Sequence, residues 1–144
     1  MVNVDLHHKN VFLDTAPLIY FIEGNSPFQE KLREIFDLNE RGDFIFITSS
    51  ITLLEVLVKP LKDGESELAN NYKEILLNAT GIEMFEVTNS VAIKAAELRA
   101  KYGVKTPDAI QLATAIEHSA DYFLTNDFRL KSIDNIRSIT LNEL

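Results

Sequence analysis

The sequence lacks several residue types, and each absence excludes a class of protein. It contains no cysteine and no tryptophan among 144 residues. Without cysteine there is no disulfide scaffold, no thiolate zinc site and no cysteine nucleophile. Glycine and proline are scarce, with 5 and 4 copies, and no repeat, low-complexity tract or long linker divides the chain. We therefore expect a single domain over residues 1–144, with residues 1–10 as a short N-terminal lead.

Long hydrophobic runs are also missing. The apolar runs Phe44–Ile47 and Val56–Val58 fall far short of the ~20 residues that span a bilayer. Residues 1–10 lack the apolar segment of a signal peptide. The content of 46% hydrophobic and 25% charged residues is typical of a globular protein and argues against disorder. These features predict a soluble, cytoplasmic protein that does not associate with membranes.

Positive charge is in short supply. The chain has 14 Lys and Arg against 22 Asp and Glu, a net charge of −8. A protein that binds nucleic acid mainly through its phosphates is expected to be basic, because its affinity comes from counterion release. Net charge does not describe a single cleft, however, and a metal site made of carboxylates adds negative charge of its own. The composition therefore leaves the partner open.

Short apolar segments alternate with helical patterns along the chain. The segments predict strands at residues 11–13, 44–47, 82–87, 122–124 and 136–139. Three helices are predicted in the first part of the chain: from Thr15 to Glu23 with an end near Gly24-Asn25, from Ser26-Pro27 to Gly42, and from residues 48–50 to just before Pro60. Two more are predicted from Glu65 to Ala79 and from Asn89 or Ser90 to Tyr102. The last begins at a Thr106 cap, with Pro107 at its first helical position. Strands separated by helices predict an α/β fold with a mostly parallel sheet and helices on both faces.

Four acidic residues lie where a parallel sheet places its functional groups. These sites gather at the carboxyl ends of the strands and at the helix starts beyond them. The four residues are Asp14 after the first strand, Glu55 in the helix after the second, Asp108 in the first turn of a helix, and Asp127 after the fourth strand. Asp14 alone would also suit a helix cap, Asp108 a helix dipole and Asp127 a turn.

Glu55 is harder to explain as a simple structural residue. Its neighbours on both sides are apolar, which predicts a partly buried carboxylate in need of a cation. Two such charges ~4 Å apart repel by about 4 kcal/mol at an effective dielectric near 20. Oxygen ligands without cysteine or converging histidines suit Mg²⁺ or Mn²⁺, which assist phosphodiester hydrolysis.

The sequence resembles the PIN domain family, and within it the VapC-type toxin ribonucleases. The matching stretches are FLDTAPLIY at residues 12–20, TSSITLLEVL at 48–57, KTPDAIQLATA at 105–115 and YFLTND at 122–127. They occur in the family's order and cover essentially the whole chain from Val11 onward. The first stretch is weak by itself, whereas the third and fourth together are specific.

The resemblance implies a PIN-like three-layer α/β/α sandwich and an endoribonuclease that depends on Mg²⁺ or Mn²⁺. It further implies an RNA substrate, a cognate antitoxin of a type II toxin–antitoxin module, and a homodimer. Carried over by motif, the catalytic and metal-binding residues are Asp14, Glu55, Asp108 and Asp127, and polar residues that orient them are Thr15, Thr125 and Asn126. We hypothesise that Asp14 and Asp108 share the principal ion, whereas Glu55 and Asp127 hold a second ion or position the attacking water.

Other residues supply weaker signals. Lys105 and Arg129, each close in sequence to one of these acids, are candidate contacts for RNA phosphates. Four aromatic residues are candidates for a groove that receives an antitoxin helix, with core packing as the alternative for the last: Tyr20, Phe21, Phe28 and Phe36. The adjacent histidines at residues 7–8 make a poor zinc site without a third ligand.

Two other interpretations remain. A receiver-like or phosphatase-like domain would carry an aspartyl nucleophile, but Asp14-Thr15-Ala16 lacks the second acid of an Asp-x-Asp pair. A catalytically silent PIN-like scaffold would bind RNA or protein without cleaving anything, although all four acids are present. Stable phosphorylation of Asp14 by acetyl phosphate would identify a receiver-like or phosphatase-like domain. Failure to bind metal would identify the catalytically silent scaffold.

Overall fold

The computed structural model describes residues 2–24 and 26–144, and within them the chain forms five strands and six α-helices. The strands are β1 (Asn10–Leu13), β2 (Ile45–Ser49), β3 (Ile82–Phe85), β4 (Tyr122–Thr125) and β5 (Arg137–Thr140). The helices are α1 (Thr15–Glu23), α2 (Gln29–Glu40), α3 (Ser50–Lys62), α4 (Ser66–Asn78), α5 (Asn89–Tyr102) and α6 (Thr106–Glu117). Short 3₁₀ segments, Phe128–Ser132 and Leu141–Glu143, follow β4 and β5.

The five strands form one parallel sheet in the order β3-β2-β1-β4-β5. Val11 of β1 is paired with Phe46 on one side and with Tyr122 on the other. From β1 the chain therefore builds outward in one direction with β2 and β3, and then in the other with β4 and β5. The crevice at such a reversal is where open parallel sheets bind their ligands.

Two hydrophobic cores cover the two faces of the sheet. Side chains alternate along β1, so that Val11 and Leu13 contact one core and Phe12 contacts the other. The first core is closed by α1 to α4, and the second by α5 and α6. In the second core the rings of Phe12 and Phe123 stack with their centroids 5.0 Å apart. These layers confirm the predicted α/β fold with a parallel sheet between helices.

Several helix starts differ from those predicted by sequence. Thr88 caps α5, accepting a hydrogen bond from the Val91 N–H, in place of Asn89 or Ser90. The N-cap of α6 is Lys105, so Thr106 is already helical. Ser26 forms a turn by accepting the Phe28 N–H at 3.2 Å, and α2 starts only at Gln29. Neighbouring Ser, Thr and Asn residues compete for the same cap, and the path of the chain decides among them.

The end of α1 and the end of α3 give one agreement and one correction. Gly24 closes α1 with a φ of +68°, a conformation that favours glycine, while Asn25 lies outside the described residues. Helix α3 does not stop before Pro60 but continues to Lys62. Proline removes the hydrogen bond to the carbonyl four residues earlier, but Pro60 lies in the last turn of α3, so only two helical residues follow it.

The aromatic residues near α1 divide between the core and the surface. The rings of Phe21 and Phe36 stack with centroids 3.8 Å apart, and Phe36 is buried. Phe36 is therefore a core residue. Tyr20 and Phe28 are half-buried neighbours, with ring centroids 6.4 Å apart. Within residues 2–24 and 26–144, no helix combines the length and the apolar composition that a membrane span requires.

Candidate active site

The four predicted acids come from four different elements at the carboxyl edge of the sheet. Asp14 directly follows β1, and Asp127 follows β4 after one intervening residue. Glu55 lies in the second turn of α3 and Asp108 in the first turn of α6. Because β1 and β4 are adjacent strands, their two aspartates flank the crevice at the reversal of strand order.

Asp14 is half-buried and is held by two hydrogen bonds. It caps α1 by accepting the Thr15 N–H on Oδ1 at 2.9 Å, and its Oδ2 accepts the Thr125 hydroxyl at 2.7 Å. Burial raises the pKa of Asp14 to about 6, and the charges of Asp108 and Glu55 add to that rise. The two hydrogen bonds lower the pKa but do not cancel the effect of burial. A partly buried, negatively charged group of this kind favours a cation beside it.

Thr15 connects Asp14 to Glu55. Its backbone N–H is bonded to Asp14, while its hydroxyl donates to Oε1 of Glu55 at 2.6 Å. One residue thus fixes the orientation of two carboxylates from neighbouring elements. Asn126, expected by resemblance to orient an acid, instead donates from Nδ2 to the Tyr20 hydroxyl at 3.2 Å.

The pKa of Asp108 is shifted by burial and by both acidic and basic neighbours. Burial raises its pKa, and the charges of Asp127 and Glu55 raise it further. Arg129 and Lys105 act in the opposite direction. The net shift is upward, which means that burial and negative charge together outweigh the two nearby cations.

Asp127 is held by Arg129 in a two-point ion pair. Nε of Arg129 donates to Oδ1 at 2.9 Å, and Nη2 donates to Oδ2 at 2.6 Å. The backbone N–H of Arg129 also donates to Oδ1, so Asp127 caps the 3₁₀ segment after β4. These contacts lower the pKa of Asp127. Asp127 therefore differs from Asp14 and Asp108, because its charge is already balanced by a guanidinium.

A cleft joins the second pair of acids to the basic residues. Its volume is about 320 Å³, and its lining includes Tyr102, Lys105, Asp108, Asp127 and Arg129. Lys105 and Arg129 are both exposed. The cleft therefore presents cations beside carboxylates, an arrangement that can accept a phosphate group next to a bound metal ion.

The donor set fits a hard divalent cation. Among residues 2–24 and 26–144, no three His, Cys, Asp or Glu side chains stand together as a ready ligand set. The charge of Asp108 nevertheless contributes to the raised pKa of Asp14, which indicates repulsion between the two carboxylates. Mg²⁺ commonly binds one or two carboxylates and keeps several waters. Two mutually repelling aspartates, drawn away from bulk water, satisfy that requirement.

The histidines take no part in this site. His7 contacts Asp43, with 2.6 Å between Nδ1 and Oδ1, and both His7 and His8 are exposed. His118 stacks on the Phe85 ring.

Sequence reasoning missed two features of the site. The first is the two-point ion pair between Arg129 and Asp127. The sequence suggests only that a cation lies near Asp127. The second is Gln111, a buried polar residue three positions after Asp108 on α6. The available signal was a glutamine between Ile110 and Leu112, because a buried amide requires hydrogen-bond partners.

Comparison with known proteins identifies the family. The PIN domain family matches residues 11–136. The chain belongs to the PIN domain family. This match covers all four acids of the PIN domain and confirms the resemblance seen in its sequence. A comparison of this PIN domain with curated protein sequences gives no significant match.

Solved structures share the fold of this PIN domain. VapBC2 from Rickettsia felis, bound to a DNA fragment from its promoter, superposes with a TM-score of 0.74 at 20% identity over 91% of this chain and 98% of that chain. FitAcB from Neisseria gonorrhoeae superposes with a TM-score of 0.69 at 21% identity, over 93% of this chain and 99% of that chain. VapC20 from Mycobacterium tuberculosis, a sarcin-ricin loop cleaving toxin, superposes with a TM-score of 0.68 at 16% identity. This superposition covers 88% of this chain and 98% of that chain. At these identities the likeness shows a common fold.

Proposed function

We propose that this PIN domain is an endoribonuclease that depends on Mg²⁺ or Mn²⁺ and hydrolyses RNA phosphodiester bonds. The observation that carries the proposal is the half-buried Asp14 carboxyl, which accepts hydrogen bonds from Thr15 and Thr125 and whose pKa is raised to about 6, mainly by desolvation and further by the charges of Asp108 and Glu55. Mutually repelling carboxylates at a strand-order reversal are typical of a functional site rather than of a structural one.

Each acid has a role in this proposal. Asp14 and Asp108 would hold the principal divalent ion, which when bound supplies Lewis-acid stabilisation of the phosphate oxygens. Glu55 and Asp127 would hold a second ion or position the attacking water. Thr15 and Thr125 keep Asp14 and Glu55 in orientation through the hydrogen bonds described above. The Arg129 pair favours the positioning role for Asp127, since the charge of this carboxylate is already balanced by a guanidinium.

The expected reaction is an in-line displacement at phosphorus. Water attacks the phosphorus atom, the bond to the 3′ oxygen breaks, and that oxygen takes up a proton. The products carry a 5′-phosphate and a 3′-hydroxyl. Lys105 and Arg129 are the candidate contacts to the RNA phosphates, because they line the cleft that contains Asp108.

The proposal is tested by replacing Asp14 or Asp108 with Asn and assaying RNA cleavage with Mn²⁺. We expect losses of at least about 100-fold, since each change removes a charge that would hold the ion. Asp37→Asn is the matched control, because Asp37 is exposed on α2. Near-wild-type cleavage by Asp14→Asn would refute the assignment. No Mn²⁺ binding in titration calorimetry would instead support a catalytically silent scaffold that binds RNA or protein.

We further propose that the partner is an antitoxin of a type II module and that the chain forms a homodimer in the cytoplasm. A toxin–antitoxin complex from Klebsiella pneumoniae has a similar fold, with a TM-score of 0.68 at 22% identity, and supports this proposal. Leu54, Val58 and Leu61 leave an apolar stripe exposed on α3, which supports a protein partner. Light scattering of the purified chain and co-purification with the neighbouring gene product test the two statements separately.

A further inference from the structure

A chain of buried polar side chains lies within the elements that carry the acids. Its members are Thr48 and Ser49 at the end of β2, Thr52 in α3 and Gln111 in α6, here called the buried polar chain. All four are at most 1% exposed. Buried polar groups of this kind are stable only when their hydrogen bonds are made.

The contacts run continuously from α6 to the end of β1. The amide oxygen of Gln111 accepts from the Ser49 hydroxyl, and Nε2 of Gln111 is 2.6 Å from the Thr52 oxygen. The hydroxyl oxygens of Thr52 and Thr48 are 2.8 Å apart. Thr48 donates to the carbonyl oxygen of Leu13 at 2.9 Å.

The protons in this network can be assigned one by one. A hydroxyl has a single proton, and that of Thr48 goes to Leu13. The proton between the two threonines therefore belongs to Thr52, whose oxygen accepts from the Gln111 amide. If the amide were reversed, Thr52 would have to donate to Gln111, and its contact with Thr48 would have no proton. The whole set is therefore satisfied in one arrangement only.

The buried polar chain reaches all three elements that supply Asp14, Glu55 and Asp108 to the proposed metal site. Leu13 is the residue before Asp14, so its carbonyl belongs to the peptide bond that joins the two residues. Thr52 precedes Glu55 by three positions on α3, and Gln111 follows Asp108 by three positions on α6. Residues three apart are neighbours along a helix. A shift of α3 or α6 against β1 would break a buried bond, which is costly.

We propose that Thr52 and Gln111 are positioning residues, which hold Asp14, Glu55 and Asp108 at their working separation by tying α3 and α6 to the end of β1. The inference rests on the proposed function, because it concerns the same carboxylates. It adds that the spacing of the acids is set in the core and not by the acids themselves, whose charges push them apart.

Thr52→Val and Thr52→Ser form the central test. Valine keeps the shape of threonine but neither donates nor accepts, whereas serine keeps the hydroxyl. Thr114→Val is the matched control: Thr114 is also buried on α6, but its hydroxyl donates to the Ile110 carbonyl within the same helix at 2.8 Å. Binding of Mn²⁺ to the free protein is measured by titration calorimetry without RNA, and the melting temperature is recorded for each variant.

We expect Thr52→Val to lower the Mn²⁺ affinity about 10-fold, as for other residues that orient metal ligands. Thr52→Ser should stay close to wild type, and Thr114→Val should lose stability without losing affinity. If Thr52→Val and Thr114→Val are equally destabilised and both bind Mn²⁺ like wild type, the buried polar chain is only a core feature and the inference is overturned.

The wild-type chain separates this inference from the function on which it rests, and a second variant covers a failure of Thr52→Val to fold. A wild-type chain that binds no Mn²⁺ removes the proposed function, and the inference falls with it. Should Thr52→Val fail to fold, Gln111→Met breaks the same bond from α6 with a side chain of similar length. Unchanged Mn²⁺ affinity in that variant would overturn the inference, and a loss of about 10-fold would support it.

Discussion

Asp14 lies in an environment that opposes its charge. Its pKa in the folded chain is about 6, against an ordinary value of 3.8 for an aspartate. Between these values the folded state binds a proton that the unfolded state has released, so stability falls as the pH rises through this window. A shift of about two units corresponds to a loss on the order of 3 kcal/mol, complete above the folded pKa.

The first prediction concerns Asp14→Asn. In the presence of EDTA, the variant should have about the same free energy of unfolding as wild type near pH 4 and be more stable by up to about 3 kcal/mol at pH 7. Urea unfolding at several pH values measures the difference. Asp37→Asn should show no such growth with pH, and a difference for Asp14→Asn that is constant across pH would contradict the argument.

At the same scale, single residues explain what the sequence could and could not predict. Asp14 and Asp127 were predicted as site residues because each follows an apolar strand, and strand ends are visible in sequence. The bond of Thr15 to Glu55 joins residues 40 positions apart, and that of Thr52 to Gln111 joins residues 59 apart. Such contacts depend on how the helices dock, which local pattern does not report.

At the scale of elements, the sequence predicted which helices and strands exist better than where they begin. Apolar periodicity extends over a whole element and is robust, whereas a cap is one residue among several of similar chemistry. Thr88, Asn89 and Ser90 all suit a cap, and the structure selects Thr88. Pro60 similarly predicted a helix end, yet α3 continues beyond it to Lys62.

The cap of α5 supplies a prediction of its own. Thr88→Ala removes the acceptor of the Val91 N–H and should lower the free energy of unfolding by about 1 kcal/mol. Chemical denaturation provides the measurement, with Asn89→Ala as the neighbouring control that should cost much less. Equal losses in both variants would place the cap elsewhere. RNA cleavage at a temperature well below the melting point should be unaffected, since α5 carries none of the four acids.

At the scale of the whole molecule, the net charge of −8 opposes RNA at long range. The cations that line the cleft act locally, within a distance over which salt screening is incomplete. RNA binding should therefore depend on a few cations and weaken as salt is added.

Lys105→Gln tests this balance. The variant should bind single-stranded RNA more weakly at low salt, and the slope of log affinity against log salt should fall by about 0.7 for the one phosphate contact removed. Fluorescence anisotropy over a salt series measures both quantities. Lys73→Gln, an exposed change on α4, makes the same change in net charge and should leave the slope unchanged. An identical response of the two variants would assign the effect to net charge alone.

The central place of β1 has a consequence for synthesis on the ribosome. β1 is made early, but it is paired with β4, whose register partners lie 111 residues later in the chain. Until Tyr122 to Thr125 have emerged, one side of β1 is open and the Thr125 bond to Asp14 cannot form. Nascent chains and truncated products are therefore expected to lack the proposed activity, which should appear only when the C-terminal part of the polypeptide docks.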